Sequence, residues 1–204
     1  MILGFEETNE SFYEISWDVR AKLFDKIISQ DTMDINGGIA AFLKMESEYL
    51  FALERGKLVP DDGSIPSKMI YTGKVDIQKL ERVGSGYLEE VHDRVKCLED
   101  VAARGFDAIV ELGGGWGLNL FLLHNTLGSR IPRYILAEYT QAGRRLCEKF
   151  ECLKGAPKLE KVFVDHKDLD MDFVGKVEKV LVFTCHSIEQ VKFLPENYFR
   201  KICK

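Results

Sequence analysis

The chain has 204 residues, of which 46% are hydrophobic and 30% charged, a composition typical of a folded, water-soluble protein with a sizeable core. Its formal net charge of −5 provides no strongly basic field, which disfavours nucleic acid as a partner. The five cysteines are scattered without a C-x-x-C pair and the four histidines have no metal-ligand spacing, so we expect neither a disulfide framework nor a metal site.

The amino-terminal sequence MILGFEETNE lacks the basic and long apolar regions of a signal peptide. No stretch of the chain approaches the ~20 apolar residues that a membrane-spanning helix needs. We therefore expect a cytoplasmic protein without a membrane partner.

Residues 1–84 have the pattern of a helical extension. Apolar residues recur at steps of three and four from Phe12 to Gln30 and again from Gly38 to Arg55, which predicts two amphipathic helices, with Gly56 ending the second. The following segment KLVPDDGSIPSKMIYTGKV contains two prolines and two glycines and predicts a loop or short strands. We expect this extension to serve as a lid over a substrate or as an arm for homo-oligomer formation.

Residues 85–204 begin with a predicted helix over 87–105 and then alternate strands with helices. The predicted strands are DAIVEL (107–112), RYILAE (133–138), KVFVD (161–165) and KVLVFT (179–184). The predicted helices cover 117–127 and 140–154, and Ser187-x-x-Gln190 has the form of a capping box that opens another helix. Apolar strands separated by helices indicate a parallel sheet covered on both faces. The predicted class is therefore α/β, a Rossmann-like parallel sheet with an α-helical amino-terminal extension.

The segment VELGGGWG, residues 110–117, joins the first of these strands to its helix. Its glycines leave the backbone open to a ligand, but the sixth place of the dinucleotide pattern G-x-G-x-x-G is leucine in both registers, and no Lys-Ser/Thr pair follows. Glu111 would repel a pyrophosphate and attract a cation. Glu138, at the end of the second strand, has the spacing of an acid that binds a ribose diol. These residues predict a nucleoside ligand with a cationic group, although a tight turn without a ligand would also need glycines.

Three segments in this order resemble motifs of the class I S-adenosylmethionine-dependent methyltransferases. VELGGGWG is similar to the first motif, ILAEY to the acidic end of the second strand, and VFVDHKDL to the Asp-x-x-Asp-Leu sequence after the third. VFTCHSIEQV resembles a segment of sugar O-methyltransferases in which a His-Ser-x-Glu-Gln run recurs. The resemblance spans residues 85–195 and implies S-adenosyl-L-methionine as the cofactor and a small hydroxylated molecule as the acceptor.

The resemblance also implies roles for residues at the methionine end of this cofactor. Gly113, Gly115 and Gly117 would line the methionine moiety and its sulfonium. Glu111 would lie near the amino group, and Asn119 close to the edge of the cofactor.

At the nucleoside end, the resemblance implies four further contacts. Glu138 would accept hydrogen bonds from both ribose hydroxyls, and Tyr139 would lie against the adenine face. Asp165 would contact the adenine amino group, and the backbone of His166 a ring nitrogen. Asp165 could instead only cap the next turn.

The candidate catalytic residues follow the fourth strand. Because ligands bind beyond the carboxyl ends of parallel strands, His186 is placed to face the transferred methyl group. An unperturbed imidazole with a pKa of ~6.5 is largely neutral at physiological pH and can accept a hydroxyl proton, and Glu189 could orient it. The alternative is that His186 only satisfies a backbone group.

Four strands can be placed in this sequence, whereas a class I methyltransferase sheet has seven. The resemblance therefore implies a carboxy-terminally truncated sheet, completed by a missing segment or by another chain. Two functions remain open at this point: an O-methyltransferase acting on a sugar or other small hydroxylated metabolite, and a noncatalytic methyltransferase-like module that binds a cofactor or a partner. A dehydrogenase is a more distant alternative.

Overall fold

The computed structural model describes residues 5–48, 53–54, 57–58, 91 and 93–203. Its helices are α1 (Phe5–Ile27), α2 (Ile35–Glu48), α3 (93–102), α4 (Leu118–Leu127), α5 (Gln141–Phe150) and α6 (Tyr198–Ile202). Its strands are β1 (Leu53–Glu54), β2 (Lys57–Leu58), β3 (Ala108–Leu112), β4 (Arg133–Ala137), β5 (Glu160–Val162) and β6 (Val180–Thr184). The predicted boundary between residues 84 and 85 lies outside the described residues.

Strands β3 to β6 form a four-stranded, all-parallel sheet in the order β5-β4-β3-β6. This arrangement, with flanking helices, confirms the predicted α/β, Rossmann-like class. If these four strands are numbered 1 to 4 along the chain, they lie across the sheet in the order 3-2-1-4, as in the first strands of a doubly wound sheet. From β3 the chain adds β4 and β5 on one side and then returns to place β6 on the other side, so the strand order reverses between β3 and β6. The loops after β3 and β6 therefore open on the same crevice. Strands β1 and β2 form a separate antiparallel pair.

The sheet has an apolar layer on each face because successive residues of a strand point to opposite sides. On one face, Ile109 and Leu136 pack with α4, α5 and the described parts of α1 and α2. Here the Trp116 ring stacks on Phe150, with centroids 4.1 Å apart. On the other face, Val110 joins a cluster that extends to α6. Trp116 therefore holds the glycine loop to the core.

Helix α1 is fixed along α5 by apolar and polar contacts. Phe24 meets Phe150 edge-on, with ring centroids 4.8 Å apart. Oε1 of Glu14 accepts a hydrogen bond of 2.9 Å from the Ala142 N–H, which lies in the first turn of α5. An ion pair of 2.6 Å joins Lys149 to Asp25. These contacts make α1 a built part of the fold.

Two features predicted for the amino-terminal part differ in the structure. The second helix ends at Glu48, and the prediction that it reaches Arg55 is wrong because Leu53–Glu54 forms β1. Gly56, the predicted stop, lies outside the described residues, as does most of the predicted loop. The first helix was predicted from Phe12 but begins at Phe5.

The predicted capping box at Ser187 is also wrong. Residues Ile188–Gln190 form a single 3₁₀ turn, and the Ser187 side chain makes no capping hydrogen bond to it. Its hydroxyl bonds to residues elsewhere at the sheet edge instead. The third predicted strand is shorter than expected, since β5 covers Glu160–Val162.

The other strands, and the helices between them, are close to their predicted positions. Thr140 caps α5 as expected, its Oγ1 accepting a hydrogen bond from Gly143 N–H at 3.2 Å. None of the helices in the described residues has the length and apolar composition needed to cross a membrane.

Candidate ligand site

A cavity of about 1370 Å³ lies at the carboxyl ends of the parallel strands. It exceeds the ~300–1,000 Å³ of most small-molecule sites, which gives room for two ligands side by side. All residues that the sequence analysis proposed for a site line it, with the exception of Gly117. They are Glu111, Gly113, Gly115, Asn119, Glu138, Tyr139, Asp165, His166, His186 and Glu189.

The glycines of the loop after β3 are needed by the fold itself. Gly113 and Gly115 have φ of +69° and +58°, a region that favours glycine. A Cβ on Gly113 would lie 2.4 Å from the Ser187 side chain, and one on Gly115 would lie 2.5 Å from the Trp17 ring. Gly117, with φ of +86°, is the residue before α4. Part of the space that the missing side chains leave is therefore filled by Ser187 and Trp17.

Glu111 is a buried carboxyl group with one oxygen left over. It is 1% exposed, and its Oε1 accepts a hydrogen bond from Nδ2 of Asn119, whose Oδ1 accepts one from Nε of Arg94 at 3.2 Å. Among the described residues, Oε2 has no hydrogen-bond partner. Burial raises the pKa of Glu111 to about 8, while Asn119 and Arg94 act in the opposite direction. At neutral pH this carboxyl group is mostly protonated, and a nearby cation would favour its charged form.

Glu138, at the end of β4, has almost all of its hydrogen-bonding capacity in use. Its Oε2 accepts from Gly115 N–H at 2.8 Å, and its Oε1 accepts from the N–H and the hydroxyl of Thr140 at 2.8 and 2.6 Å. Burial raises its pKa, and these hydrogen bonds lower it. A carboxylate offers about four acceptor positions, so one remains, on Oε2. The predicted contact with two ribose hydroxyls would require one of the existing bonds to open.

His166 and Ser187 connect the ends of three strands through a partly buried network. Ser187 Oγ donates to the Leu112 carbonyl at 2.9 Å and lies 2.6 Å from Thr184 Oγ1. His166 Nε2 lies 3.0 Å from Ser187 Oγ, and its Nδ1 lies 2.6 Å from the Tyr198 hydroxyl. The Ser187 hydroxyl therefore takes part in this network and does not cap the 3₁₀ turn that follows it.

The network assigns the proton of the neutral His166 ring to Nε2. Because the single Ser187 hydroxyl proton goes to Leu112, His166 must donate from Nε2–H, and Nδ1 then accepts from Tyr198. Burial lowers the pKa of His166, which agrees with a neutral ring. Both ring nitrogens are occupied, so this histidine braces the loop and is not available as a base.

His186 differs from His166 in its exposure to solvent and in its backbone conformation. Its side chain is 66% exposed, and its Nδ1 lies 3.3 Å from Oε1 of Glu189. It has a φ of +54°, which is uncommon for a residue with a side chain and is found at turns and functional sites. The side chain of Gln190 donates to the His186 carbonyl at 2.7 Å and holds this turn. The His186–Glu189 pair thus faces the cavity on a constrained turn.

The remaining candidates lie on the β4–β5 side of the cavity. Tyr139 packs against Phe163, with ring centroids 5.3 Å apart, and Phe163 is 59% exposed. Asp165 Oδ1 accepts a hydrogen bond of 2.8 Å from Lys167 N–H, so the capping role considered for it is present. Asp165 also lines the cavity. It can cap the turn and contact a ligand at the same time, because the cap uses Oδ1 and not Oδ2.

Sequence reasoning missed several cavity residues, among them Lys192, Phe193 and Pro195 and two further groups. One is Arg94 on α3, which reaches the cavity beside Asn119. The other is one face of α1, namely Tyr13, Ser16, Trp17 and Arg20. Their i, i+3, i+4, i+7 spacing is visible in the sequence, but that spacing marks a shared helix face and not what the face contacts.

Comparison of the chain with protein-family models, with curated proteins and with solved structures gives no match. The geometry of the site therefore carries the functional argument.

Proposed function

We propose that this protein is an S-adenosylmethionine-dependent methyltransferase that methylates a hydroxyl group of a sugar or another small metabolite. The sheet would be of the methyltransferase type, with β3 to β6 as its first four strands. Support comes from the parallel order 3-2-1-4, from a cavity at the carboxyl ends of these strands, and from buried acidic residues at the carboxyl ends of β3 and β4.

The observation that carries this proposal is that Oε2 of Glu111 has no hydrogen-bond partner within the part of the chain that the structure describes. A buried polar atom without a partner costs about 1–3 kcal/mol, so native proteins usually satisfy one with another protein group, an ordered water or a ligand. An ammonium group is a suitable ligand because it donates hydrogen bonds and favours the charged carboxylate. Arg94, linked to Glu111 through Asn119, adds a positive charge at this end of the cavity. The residues at this end therefore fit the amino-acid part of the cofactor.

The residues at the other end fit a nucleoside less completely. Glu138 keeps one acceptor position for a ribose hydroxyl, and Tyr139 with Phe163 provides aromatic surface for a base. Asp165 and the backbone of His166 line the same region of the cavity.

The bound cofactor would supply a methyl group activated by its sulfonium. The protein then has to position an acceptor hydroxyl and remove its proton. Glu189 faces Nδ1 of His186, so a proton held on Nδ1 leaves Nε2 of His186 as the atom that accepts the hydroxyl proton. The turn held by Gln190 would keep this ring in position.

Calorimetric titration with S-adenosylmethionine and S-adenosylhomocysteine tests the cofactor proposal. We expect binding to the wild-type protein and at least tenfold weaker binding to Glu111→Gln, which cannot become an anion. Glu148→Gln, on the exposed side of α5, is the matched control and should bind like the wild type. The absence of binding heat for the wild-type protein would refute the proposal.

A noncatalytic, cofactor-binding module is the second candidate. The exposure of both His186 and Glu189, at 66% and 53%, favours it because a solvated pair is less effective in catalysis. His186→Asn separates the two functions, since asparagine tolerates a positive φ. For an enzyme we expect the rate of methyl transfer to a panel of hydroxylated acceptors to fall at least a hundredfold, with cofactor binding unchanged. Cofactor binding without transfer by the wild type would favour the module.

A further inference from the structure

Phe193 is a large apolar side chain that meets solvent inside the cavity. It is 70% exposed, and it lines the cavity together with His186 and Glu189. Among the described residues, Phe163 and Phe199 are similarly exposed, at 59% and 63%, but neither lines the cavity. Because removing apolar surface from water is favourable, a ligand that covers Phe193 gains affinity from its burial.

Two aromatic side chains of α1 line the same cavity. Trp17 packs against Gly115, where a Cβ would lie 2.5 Å from its ring. Tyr13 is half-buried: burial raises its pKa, and a hydrogen bond with Gln190, which lowers it, places this ring beside the turn that follows β6. We call Tyr13, Trp17 and Phe193 the aromatic wall of the cavity. It combines flat apolar surface from two distant parts of the chain.

The polar side chains beside the aromatic wall make contacts within the protein. Arg20 donates a hydrogen bond to the buried hydroxyl of Ser16. Nδ1 of His186 lies 3.3 Å from Oε1 of Glu189, and the side chain of Gln190 donates to the His186 carbonyl at 2.7 Å. A sugar brings several hydroxyl groups, and each one that leaves water needs a new hydrogen-bond partner. A phenol brings one or two, and the rest of its ring needs apolar surface alone.

The acidity of the acceptor hydroxyl favours the same class of molecule. A phenol has a pKa of ~10, as in tyrosine, whereas the alcohol group of a sugar is a much weaker acid. An imidazole therefore accepts the proton of a phenol more readily. The phenolic oxygen gives its proton to Nε2 of His186 and forms a bond to the methyl carbon, while the electron pair of the broken carbon–sulfur bond stays on sulfur.

From these observations we infer that the aromatic wall is the subsite of the methyl acceptor, and that the acceptor is a phenol. Its ring covers Phe193 and packs against the aromatic side chains of α1, and its hydroxyl faces His186. This inference rests on the proposed function for the identity of the ligand as a methyl acceptor. It narrows the hydroxylated metabolite to an aromatic one.

The test is calorimetric titration of the protein saturated with S-adenosylhomocysteine. The probes are catechol, cis-cyclohexane-1,2-diol and glucose. Catechol and the cyclohexanediol have six-membered rings with two adjacent hydroxyls, but only catechol is flat and aromatic. We expect catechol to bind at least tenfold more tightly than either of the other two probes.

Variants of Phe193 test where the ring binds. Phe193→Ala should weaken the binding of catechol at least fivefold, and Phe193→Leu, which keeps apolar volume without the ring, should have an intermediate effect. Phe199→Ala is the matched control because it removes a phenylalanine of similar exposure outside the cavity. It should bind catechol like the wild type. S-adenosylhomocysteine should bind equally well to the wild type and to all three variants.

Three outcomes would overturn the inference: a preference for catechol below tenfold, no binding of catechol, or a loss below fivefold in Phe193→Ala. The proposed function is judged separately, by the heat of S-adenosylhomocysteine binding in the same preparation. If that heat is absent, titration of the unliganded protein still decides whether the aromatic wall selects phenols.

Discussion

Glu111, the penultimate residue of β3, and Glu138, the residue after β4, lie at the carboxyl ends of neighbouring strands, yet their surroundings differ sharply. Both are buried, at 1% and 4% exposure, and burial raises the pKa of both. Glu138 accepts three hydrogen bonds from Gly115 and Thr140. Glu111 accepts one from Asn119, and its Oε2 has no partner among the residues that the structure describes.

The difference indicates a structural role for Glu138 and is the basis of the binding role proposed for Glu111. The free protein already satisfies Glu138, which joins the glycine loop to the start of α5. Glu111 is satisfied on one side alone, so its second oxygen is suited to a ligand. Acidic residues at the ends of neighbouring strands thus differ: the contacts of Glu138 are structural, and Glu111 is the residue proposed to bind a ligand. Four variants test this distinction.

Removing Glu138 should cause the largest loss of stability. Glu138→Ala leaves three buried donors without acceptors, and at ~1–3 kcal/mol each we expect the free energy of unfolding to fall by about 4 kcal/mol. Urea denaturation measures this change. Glu148→Ala on the exposed side of α5 should change it by less than about 0.5 kcal/mol. A loss equally small for Glu138→Ala would show that Glu138 is not a structural brace.

Glu111→Gln should change how stability depends on pH. The pKa of about 8 lies above the ordinary value of 4.5, so the folded protein holds a proton that the unfolded chain releases. Its stabilising contribution is complete below pH 4.5 and is lost as the pH rises to about 8, by up to ~1.4 kcal/mol per pH unit.

Since glutamine does not titrate, Glu111→Gln should gain stability relative to the wild type by about 3 kcal/mol between pH 5 and pH 7. Urea denaturation across this range measures the difference, in which the contribution of Glu138 cancels. A difference independent of pH would mean that Glu111 is charged in the folded protein.

Thr140→Ala tests the hydrogen bonds of Glu138 by removing one of the donors and keeping the carboxylate that accepts them. It removes the hydroxyl that donates to Glu138 and accepts from Gly143 N–H, so we expect a loss of about 2 kcal/mol in urea denaturation. Thr126 provides the control because its hydroxyl bonds to Glu99 in an exposed position. If Thr126→Ala cost as much as Thr140→Ala, burial would not be what gives the Glu138 contacts their value.

Asn119→Ala should have the smallest effect on stability. It removes the one hydrogen bond that Glu111 accepts among the described residues, and we expect a loss of about 1 kcal/mol at pH 7, where Glu111 is mostly protonated. Because this bond lowers the pKa of Glu111, its loss should move the pH dependence of stability to higher pH. Asn125→Ala, at an exposed position of α4, is the control. An unchanged pH dependence would contradict the assigned contact.

The sequence was sufficient for the features that depend on local pattern. Apolar runs with short spacing locate β3, β4 and β6, and the Thr140 cap follows from residue type alone. Because parallel strands end at a common edge, Glu111, Glu138 and His186 could be expected to face one cavity, as they do. What each of these residues binds there was not accessible from the pattern.

Features that depend on distant contacts could not be predicted. Ser187 has the sequence context of a helix cap, but the Leu112 carbonyl and His166, 75 and 21 positions away, compete for its hydroxyl. Ser187 packs against Gly113 and Trp17 packs against Gly115. The sequence pattern does not predict these contacts either. A helical period shows that Trp17 and Arg20 share a face, and the packing of α1 on α5 decides that this face meets the cavity.

The attachment of α1 to α5 has a practical consequence for finding the ligands of this protein. The hydrogen bond between Glu14 and Ala142 joins residues 128 positions apart, so the cavity exists only when both parts of the chain are folded. A compound that binds there binds the native state alone and raises the melting temperature. At a concentration 100 times its dissociation constant it adds about 2.7 kcal/mol to stability. Thermal-shift screening can therefore identify ligands of this cavity, and so test the proposed methyl donor and acceptors, before any turnover has been measured.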